Sequence, residues 1–119
     1  MSSVATSAYD PVILAKGWER VDFASAEGCE AEIGTNGQFY VIAVYGMRPD
    51  EAGSFYLTNE DIKPINRRIR ANQQGNWSEY YVPYLWGRSG GLVNINIASE
   101  SCALNLSFEW KLQGIKMHG

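Results

Sequence analysis

The feature that most constrains how this chain can fold is an alternation of apolar and polar residues near its end. Apolar side chains occupy every second position in this segment, namely Cys102, Leu104, Leu106, Phe108, Trp110 and Leu112. Successive side chains of a β-strand point to opposite faces, whereas a helix would scatter these six residues around its axis. The segment is therefore predicted to form a strand with one buried face.

Shorter segments repeat this pattern between Gly, Pro, Asn and Asp residues. Apolar residues alternate with polar ones near 19–23, 29–33 and 93–97, and the continuous apolar run from Phe39 to Tyr45 is typical of a central strand covered on both faces. The Asn36-Gly37 pair supplies the positive φ of a tight hairpin turn. The chain is predicted to be all-β, an antiparallel β-sandwich or jelly-roll-like fold of about seven or eight strands.

The length of 119 residues suits a single domain. Residues 1–15 are rich in Ser and Ala without periodicity and are predicted to form an N-terminal arm on a domain spanning 16–119. The segment 59–72 is ambiguous because Ile62, Ile65 and Ile69 could share a helical face, but Pro64 would then lie in the first turn. A short helix and an extended crossover both remain open.

The overall charge of −3 and the pI of about 5.1 give no general attraction to nucleic acid or to an anionic membrane. We expect no direct nucleic-acid binding and no membrane association. The sequence shows neither a signal peptide nor an apolar run long enough to span a bilayer. Cys29 and Cys102 are too few for a disulfide framework and are expected to be buried and reduced, although the sequence leaves their pairing open.

Catalytic patterns are not apparent, and the chain is predicted not to be an enzyme. His118, the single histidine, lies next to the C-terminus, which removes the usual histidine-dependent triads and metal sites. Glu30 and Glu32 would share one strand face, where neighbouring carboxylates are usually solvated. No catalytic residue, metal or cofactor is predicted.

Two side-chain groups are candidates for an interface. The basic group consists of Lys63, Arg67, Arg68 and Arg70, and the aromatic group of Trp77, Tyr81, Tyr84 and Trp86. Alternation places Tyr84 and Trp86 with Tyr80 on one face of this strand, opposite Trp77 and Tyr81. For the basic group a solvated face or a contact with an acidic neighbour is favoured, whereas the rings could serve either the core or a partner.

A compact β-sandwich with an irregular arm, polar faces rich in Asn and Gln, and no catalytic group resembles the small structural proteins of tailed-phage virions. These include head-decoration, neck and fibre-base modules. The resemblance implies a non-enzymatic assembly protein, located in the virion and assembled in the host cytoplasm, that contacts copies of itself and other capsid proteins. An acidic first half and a basic second half of the chain favour head-to-tail contact between copies.

The alternative is a carbohydrate-binding module. In this hypothesis some of the surface aromatics stack on sugar rings, and Asn94 and Asn96 hydrogen-bond the sugar hydroxyls. The two hypotheses differ in partner, because the first requires other proteins and the second requires glycans.

Overall fold

The computed structural model describes residues 18–84 and 87–111, which form eight strands. In chain order they are β1 (Glu19–Ala26), β2 (Cys29–Thr35), β3 (Tyr40–Tyr45), β4 (Ala52–Asn59), β5 (Ile65–Arg70), β6 (Trp77–Tyr81), β7 (Gly90–Ser99) and β8 (Ala103–Lys111). The first sheet has the order β1-β2-β3-β6 and the second sheet the order β5-β4-β7-β8, and every neighbouring pair is antiparallel. The predicted antiparallel β-sandwich is confirmed. The predicted arm, residues 1–15, lies outside the described residues.

The core lies between the two sheets and is built largely from alternate strand residues. The buried positions at the end of the chain are Cys102, Leu104, Leu106, Phe108 and Trp110, while the residues between them are exposed. Leu112 lies outside the described residues. Because side chains one position apart point to opposite faces, this alternation decides which residues of β8 meet the first sheet and which face outward.

Strand β3 is buried at all six of its positions, as its continuous apolar run predicts. Tyr40, Ile42 and Val44 belong to the core between the sheets. Val41, Ala43 and Tyr45 point to the other face and are also buried. The turn that leads into β3 is the predicted one, since Gly37 has a φ of 96° and the Asn36 side chain accepts hydrogen bonds from the next backbone N–H groups.

Glu32 is buried, which corrects the expectation of a solvated carboxylate. Its side chain is 2% exposed and accepts hydrogen bonds from three donor atoms. Arg20 donates from Nε at 3.0 Å and from Nη2 at 2.8 Å to one oxygen, and the Tyr45 hydroxyl donates to the other at 2.8 Å. A buried carboxylate is tolerated when it is paired and hydrogen-bonded in this way. Sequence spacing alone does not show that Arg20 and Tyr45 reach the same face.

The ambiguous segment forms a strand, so the helix alternative is wrong. Strand β5 pairs with β4 from Ile65 opposite Leu57 to Arg70 opposite Ala52. Pro64 stands immediately before the strand, where its missing N–H costs no ladder hydrogen bond. Pairing with β4 and burial of Ile69 in the core therefore take precedence over the helical spacing of the isoleucines.

Side chains connect the two sheets at both of their open sides. On one side Asp22 of β1 accepts a hydrogen bond of 2.8 Å from the backbone N–H of Ser107 on β8. On the other side Arg67 of β5 forms an ion pair with Glu79 of β6. The same guanidinium lies over the ring of Phe55, 5.7 Å from its centroid. Arg67 therefore lies between the sheet edges.

Cys29 and Cys102 form a disulfide, which corrects the expectation of two reduced thiols. Their Cα atoms are 5.7 Å apart, both side chains are buried, and the described residues include no free cysteine. Cys29 begins β2 in the first sheet, and Cys102 directly precedes β8 in the second. The bond therefore joins the two sheets. The residues are 73 positions apart, so nothing local in the sequence indicates that they meet.

We expect reduction of this disulfide to lower the free energy of unfolding by about 4 kcal/mol, because it releases a long closed loop in the unfolded chain. Urea unfolding with and without a phosphine reductant measures the change. The Cys29→Ala/Cys102→Ala double variant should be insensitive to the reductant. Equal unfolding midpoints for the oxidised and reduced wild-type protein would contradict this stabilising role.

Candidate functional site

The predicted aromatic group does not form an open platform among the described residues. Trp77, Tyr81 and Tyr84 are half-buried and pack against the core, with the Trp77 ring 5.3 Å from Phe55 and the Tyr84 ring 5.6 Å from Trp110. Trp86 lies outside the described residues. Strand β6 ends at Tyr81, so the predicted alternation does not extend to Tyr84.

The buried side chain of Asn59 hydrogen-bonds two aromatic residues, Tyr81 and Trp110. Its Oδ1 accepts a hydrogen bond of 3.1 Å from Nε1 of Trp110. Its Nδ2 donates to the Tyr81 hydroxyl and to the carbonyl of Pro83, each at 3.2 Å. Burial raises the pKa of the Tyr81 hydroxyl, which therefore stays neutral across the physiological range. The segment after β6 is thus fastened to the second sheet, and Tyr81 has a structural role.

The predicted basic group is also divided by the structure. Arg67 lies between the sheets, and Arg70 donates to the carbonyl of Asp50 at 2.9 Å. Lys63 is exposed in the segment before β5, while Arg68 is exposed on the outer face of the second sheet. Among the predicted interface residues that the structure describes, only Arg68 and Arg70 share that face.

The outer face of the second sheet carries a group of exposed Asn side chains around Tyr56. Tyr56 on β4 has Asn66 of β5 on one side and Asn96 of β7 on the other, and Asn96 in turn lies opposite Asn105 of β8. Asn94 lies two positions before Asn96 on β7. These five residues define the amide face. Since strands lie about 4.8 Å apart, the row from Asn66 to Asn105 extends roughly 14 Å across the sheet.

The amide face is uncharged and open to solvent. All five of its residues are exposed, with Tyr56 at 38%. Their neighbours on the same face of β4, β7 and β8 are Ser, Thr, Ala and Leu92, while Arg68 follows Asn66 on β5. None of the four Asn side chains forms a hydrogen bond with another described residue. Each amide can therefore offer both donors and an acceptor to a ligand.

Exposure alone does not explain this composition. The outer face of an antiparallel sheet is expected to be polar, but Thr satisfies that requirement and also favours a strand, whereas Asn is depleted in strands. Four Asn residues at interior strand positions contradict the local preference. Such contradictions are expected at functional sites, where binding chemistry takes precedence over stability.

Sequence reasoning identified part of this surface. The alternation in β7 marked Asn94 and Asn96 as outward polar residues and as candidate hydrogen-bonding groups. It did not identify Tyr56, Asn66 or Asn105. Their alignment depends on the register of three strand pairs, and the only signal in the sequence is the repeated appearance of Asn at outward strand positions.

A cleft opens at one end of the sandwich. This end cleft has a volume of about 570 Å³ and is walled in part by Trp18, Tyr40 and Tyr84. The Tyr84 hydroxyl donates to the carbonyl of Gly37 at 3.3 Å, and Thr35 and Asn36 use their side-chain oxygens within the hairpin turn. Burial, with the neighbouring Tyr84, raises the pKa of the Tyr40 hydroxyl. The polar atoms of the turn already serve the fold, and the other polar side chains of the lining, Glu19, Glu109 and Lys111, are charged. The uncharged amide face is therefore the better candidate site for a ligand that is bound through neutral hydrogen bonds.

The described ranges contain neither a metal-ligand cluster nor a membrane-spanning helix. Within residues 18–84 and 87–111, no three His, Cys, Asp or Glu side chains come together as a metal site. The same ranges contain no helix with the length and apolarity needed to cross a membrane.

Comparison with known proteins supports the fold. No family model matches the sequence, and no curated protein matches it. Among solved structures, the crystal structure of the Br derivative of BhCBM56, a carbohydrate-binding module, is similar with a TM-score of 0.54 and 16% sequence identity. The similarity covers 76% of this chain and 99% of that one. At this identity it shows a shared β-sandwich fold.

If the Asn residues of the amide face are retained for binding, replacing one should stabilise the fold. We expect Asn96→Thr to raise the free energy of unfolding by up to about 1 kcal/mol, because Thr prefers a half-buried strand. Urea unfolding measures the change. Gln73→Thr, in the exposed turn before β6, is the control and should give no gain. A loss of stability in Asn96→Thr would show that this amide supports the fold.

Asn59, by contrast, should be essential for stability. We expect Asn59→Ala to lower the free energy of unfolding by about 2 to 3 kcal/mol, since it leaves the buried Trp110 N–H and the Pro83 carbonyl without their partner. The same urea experiment measures it, with Gln73→Ala as the control expected to change little. A near-zero effect of Asn59→Ala would contradict the buried network.

Proposed function

We propose that this chain is a carbohydrate-binding β-sandwich protein that binds a glycan on the amide face. The observation that carries the proposal is the uncharged row in which Asn66, Tyr56, Asn96 and Asn105 lie side by side across four strands. The structural similarity to a carbohydrate-binding module supports it at the level of the fold. It also agrees with the alternative function inferred from the sequence.

The chemistry of the amide face suits sugars. A sugar ring presents hydroxyl groups, which both donate and accept hydrogen bonds, and a less polar C–H face. Amide side chains match the hydroxyls because each carries two donors and an acceptor. The exposed ring of Tyr56 supplies a rigid apolar surface with a polar tip against which a sugar ring can stack.

The arrangement also suits a chain of sugars better than a single one. The site is an open sheet face, so it cannot enclose a small ligand as a pocket does. Its hydrogen-bonding groups recur at the strand spacing, and their row is long enough to contact more than one sugar unit. An extended oligosaccharide lying across β4, β7 and β8 would contact several amides at once. We therefore expect affinity to increase with chain length.

An assembly role is the second candidate, as inferred from the resemblance to virion proteins. Val21 and Phe23 on β1 are 41% and 44% exposed, and large exposed apolar side chains close together favour protein contact. Light scattering behind a sizing column distinguishes the two proposals. Defined oligomers that persist without glycan would favour assembly, and a monomer would favour carbohydrate binding.

Affinity electrophoresis in gels containing soluble polysaccharides tests the carbohydrate proposal, with calorimetry on the oligosaccharides of any polymer that retards the protein. We expect Tyr56→Ala and Asn96→Ala each to weaken binding about tenfold, which corresponds to ~1.4 kcal/mol. Tyr80→Ala is the matched aromatic control, because Tyr80 is 62% exposed but belongs to β6 in the first sheet. Gln73→Ala is the amide control, because it removes an exposed amide that lies outside both sheets.

The binding of the amide-face variants, compared with the wild type and the two controls, shows whether and where the protein binds a glycan. Loss of binding in the amide-face variants, with both controls unchanged, would support the proposal. Equal binding by wild type and amide-face variants would place the glycan elsewhere, with the end cleft as the next surface to test. Absence of binding to every polysaccharide would exclude the function.

A further inference from the structure

Arg68 differs from every other arginine in the described part of the chain. The other five arginines each form an ion pair with a carboxylate: Arg20 with Glu32, Arg48 with Glu100, Arg67 with Glu79, Arg70 with Asp50 and Arg88 with Asp61. Arg68 has no ion pair or side-chain hydrogen bond with any described residue, and it is exposed. Its guanidinium is therefore available to an anion from outside the fold.

The position of Arg68 relates it directly to the amide face. It lies two residues after Asn66 on β5, so both side chains leave the same face of the sheet, about 7 Å apart along the strand. Across the sheet it is opposite Ser54 of β4, which lies two residues before Tyr56. Arg68 thus forms one corner of the surface on which the glycan is proposed to lie.

The strand next to Arg68 contributes no competing acid to this face. The outward residues of the adjacent strand β4 are Ala52, Ser54, Tyr56 and Thr58, all of them uncharged. Asp50, which precedes β4, is paired with Arg70. Glu109 also lies on this face, but it belongs to β8 at the far edge of the sheet. An incoming anion would meet a guanidinium together with neutral donors and would not be repelled by an adjacent unpaired carboxylate.

We propose that the amide face selects glycans that carry carboxylates, with Arg68 binding a uronic acid carboxylate beside the neutral sugars held by Tyr56 and the Asn residues. This inference rests on the proposed function. A planar guanidinium donates two parallel hydrogen bonds to a carboxylate, and such charge-assisted pairs are stronger than neutral ones. Asn66 supplies a neutral donor next to the same group.

The net charge of −3 does not oppose this selection. Exposed charges are screened beyond about 8 to 10 Å at physiological ionic strength, so the local guanidinium outweighs acids on other faces. The same screening makes the selection dependent on salt. Affinity for an acidic glycan should fall as salt is raised, while affinity for a neutral glycan should change little.

The experiment compares the intact protein with polymers that differ in charge but share a backbone. Polygalacturonate is paired with its methyl ester, which removes the charge, and alginate and hyaluronan extend the set of uronates. Neutral glucans and a sulfated glucan complete the panel, the latter to separate carboxylate from sulfate recognition. Affinity electrophoresis at low and high salt gives the binding constants.

We expect at least one uronate polymer to bind about tenfold more tightly than its uncharged counterpart. In Arg68→Gln this preference should disappear, whereas binding to neutral glycans should change less than about twofold. Arg48→Gln is the matched control, because it removes the same charge from an exposed arginine in the segment between β3 and β4.

Every outcome decides the inference. A preference for uronates that is lost in Arg68→Gln and kept in Arg48→Gln would support it. Equal binding of charged and neutral polymers, a preference for sulfate alone, or an unchanged preference in Arg68→Gln would overturn it while leaving carbohydrate binding intact. If no glycan binds at all, the proposed function fails as well.

Discussion

The structure depends on the mutual burial of one face of each sheet. Removing the alternate apolar side chains of β4, β7 and β8 from water requires that they meet the inward residues of the first sheet, and this requirement excludes every register that would turn them outward. A slip of one residue would turn the whole set outward. The disulfide between Cys29 and Cys102 and the buried hydrogen bonds of Asn59 join the same two layers, so they reinforce the arrangement that hydrophobic burial selects.

The outer face of the second sheet is a consequence of this inner packing. Once Phe55, Ile95 and Ile97 point inward, Tyr56 and Asn96 must point outward, and antiparallel pairing aligns them with Asn66 and Asn105. The candidate site is therefore built on paired strands rather than on loops. The hydrogen-bond ladder fixes the spacing of the backbone positions on such a scaffold, so a ligand has only the side-chain rotamers to order.

Sequence patterns predict the structural features that depend on a single segment of the chain. The alternation up to Trp110 and the continuous apolar run of β3 identify buried faces because strand periodicity is a property of one segment. The partners of Glu32, the pairing of Cys29 with Cys102 and the alignment of the amide face involve strands far apart in sequence, so no single segment indicates them. Asn94 and Asn96 could be recognised as outward polar residues. Tyr56 looks like any other tyrosine until its neighbours are known.

The contacts at the two open sides of the sandwich affect how copies of the chain can associate. An uncovered edge strand offers unpaired backbone groups to a strand of another molecule. Here the Asp22 carboxylate accepts a hydrogen bond from the backbone N–H of Ser107 on β8, which is therefore not free to pair with another strand. The ion pair between Arg67 and Glu79 places charged side chains beside β5 and β6. These positions resist extension of a sheet from one molecule into the next. Contacts between copies would therefore use sheet faces, and a contact through Val21 and Phe23 on the first sheet would leave the amide face of the second sheet open to a glycan.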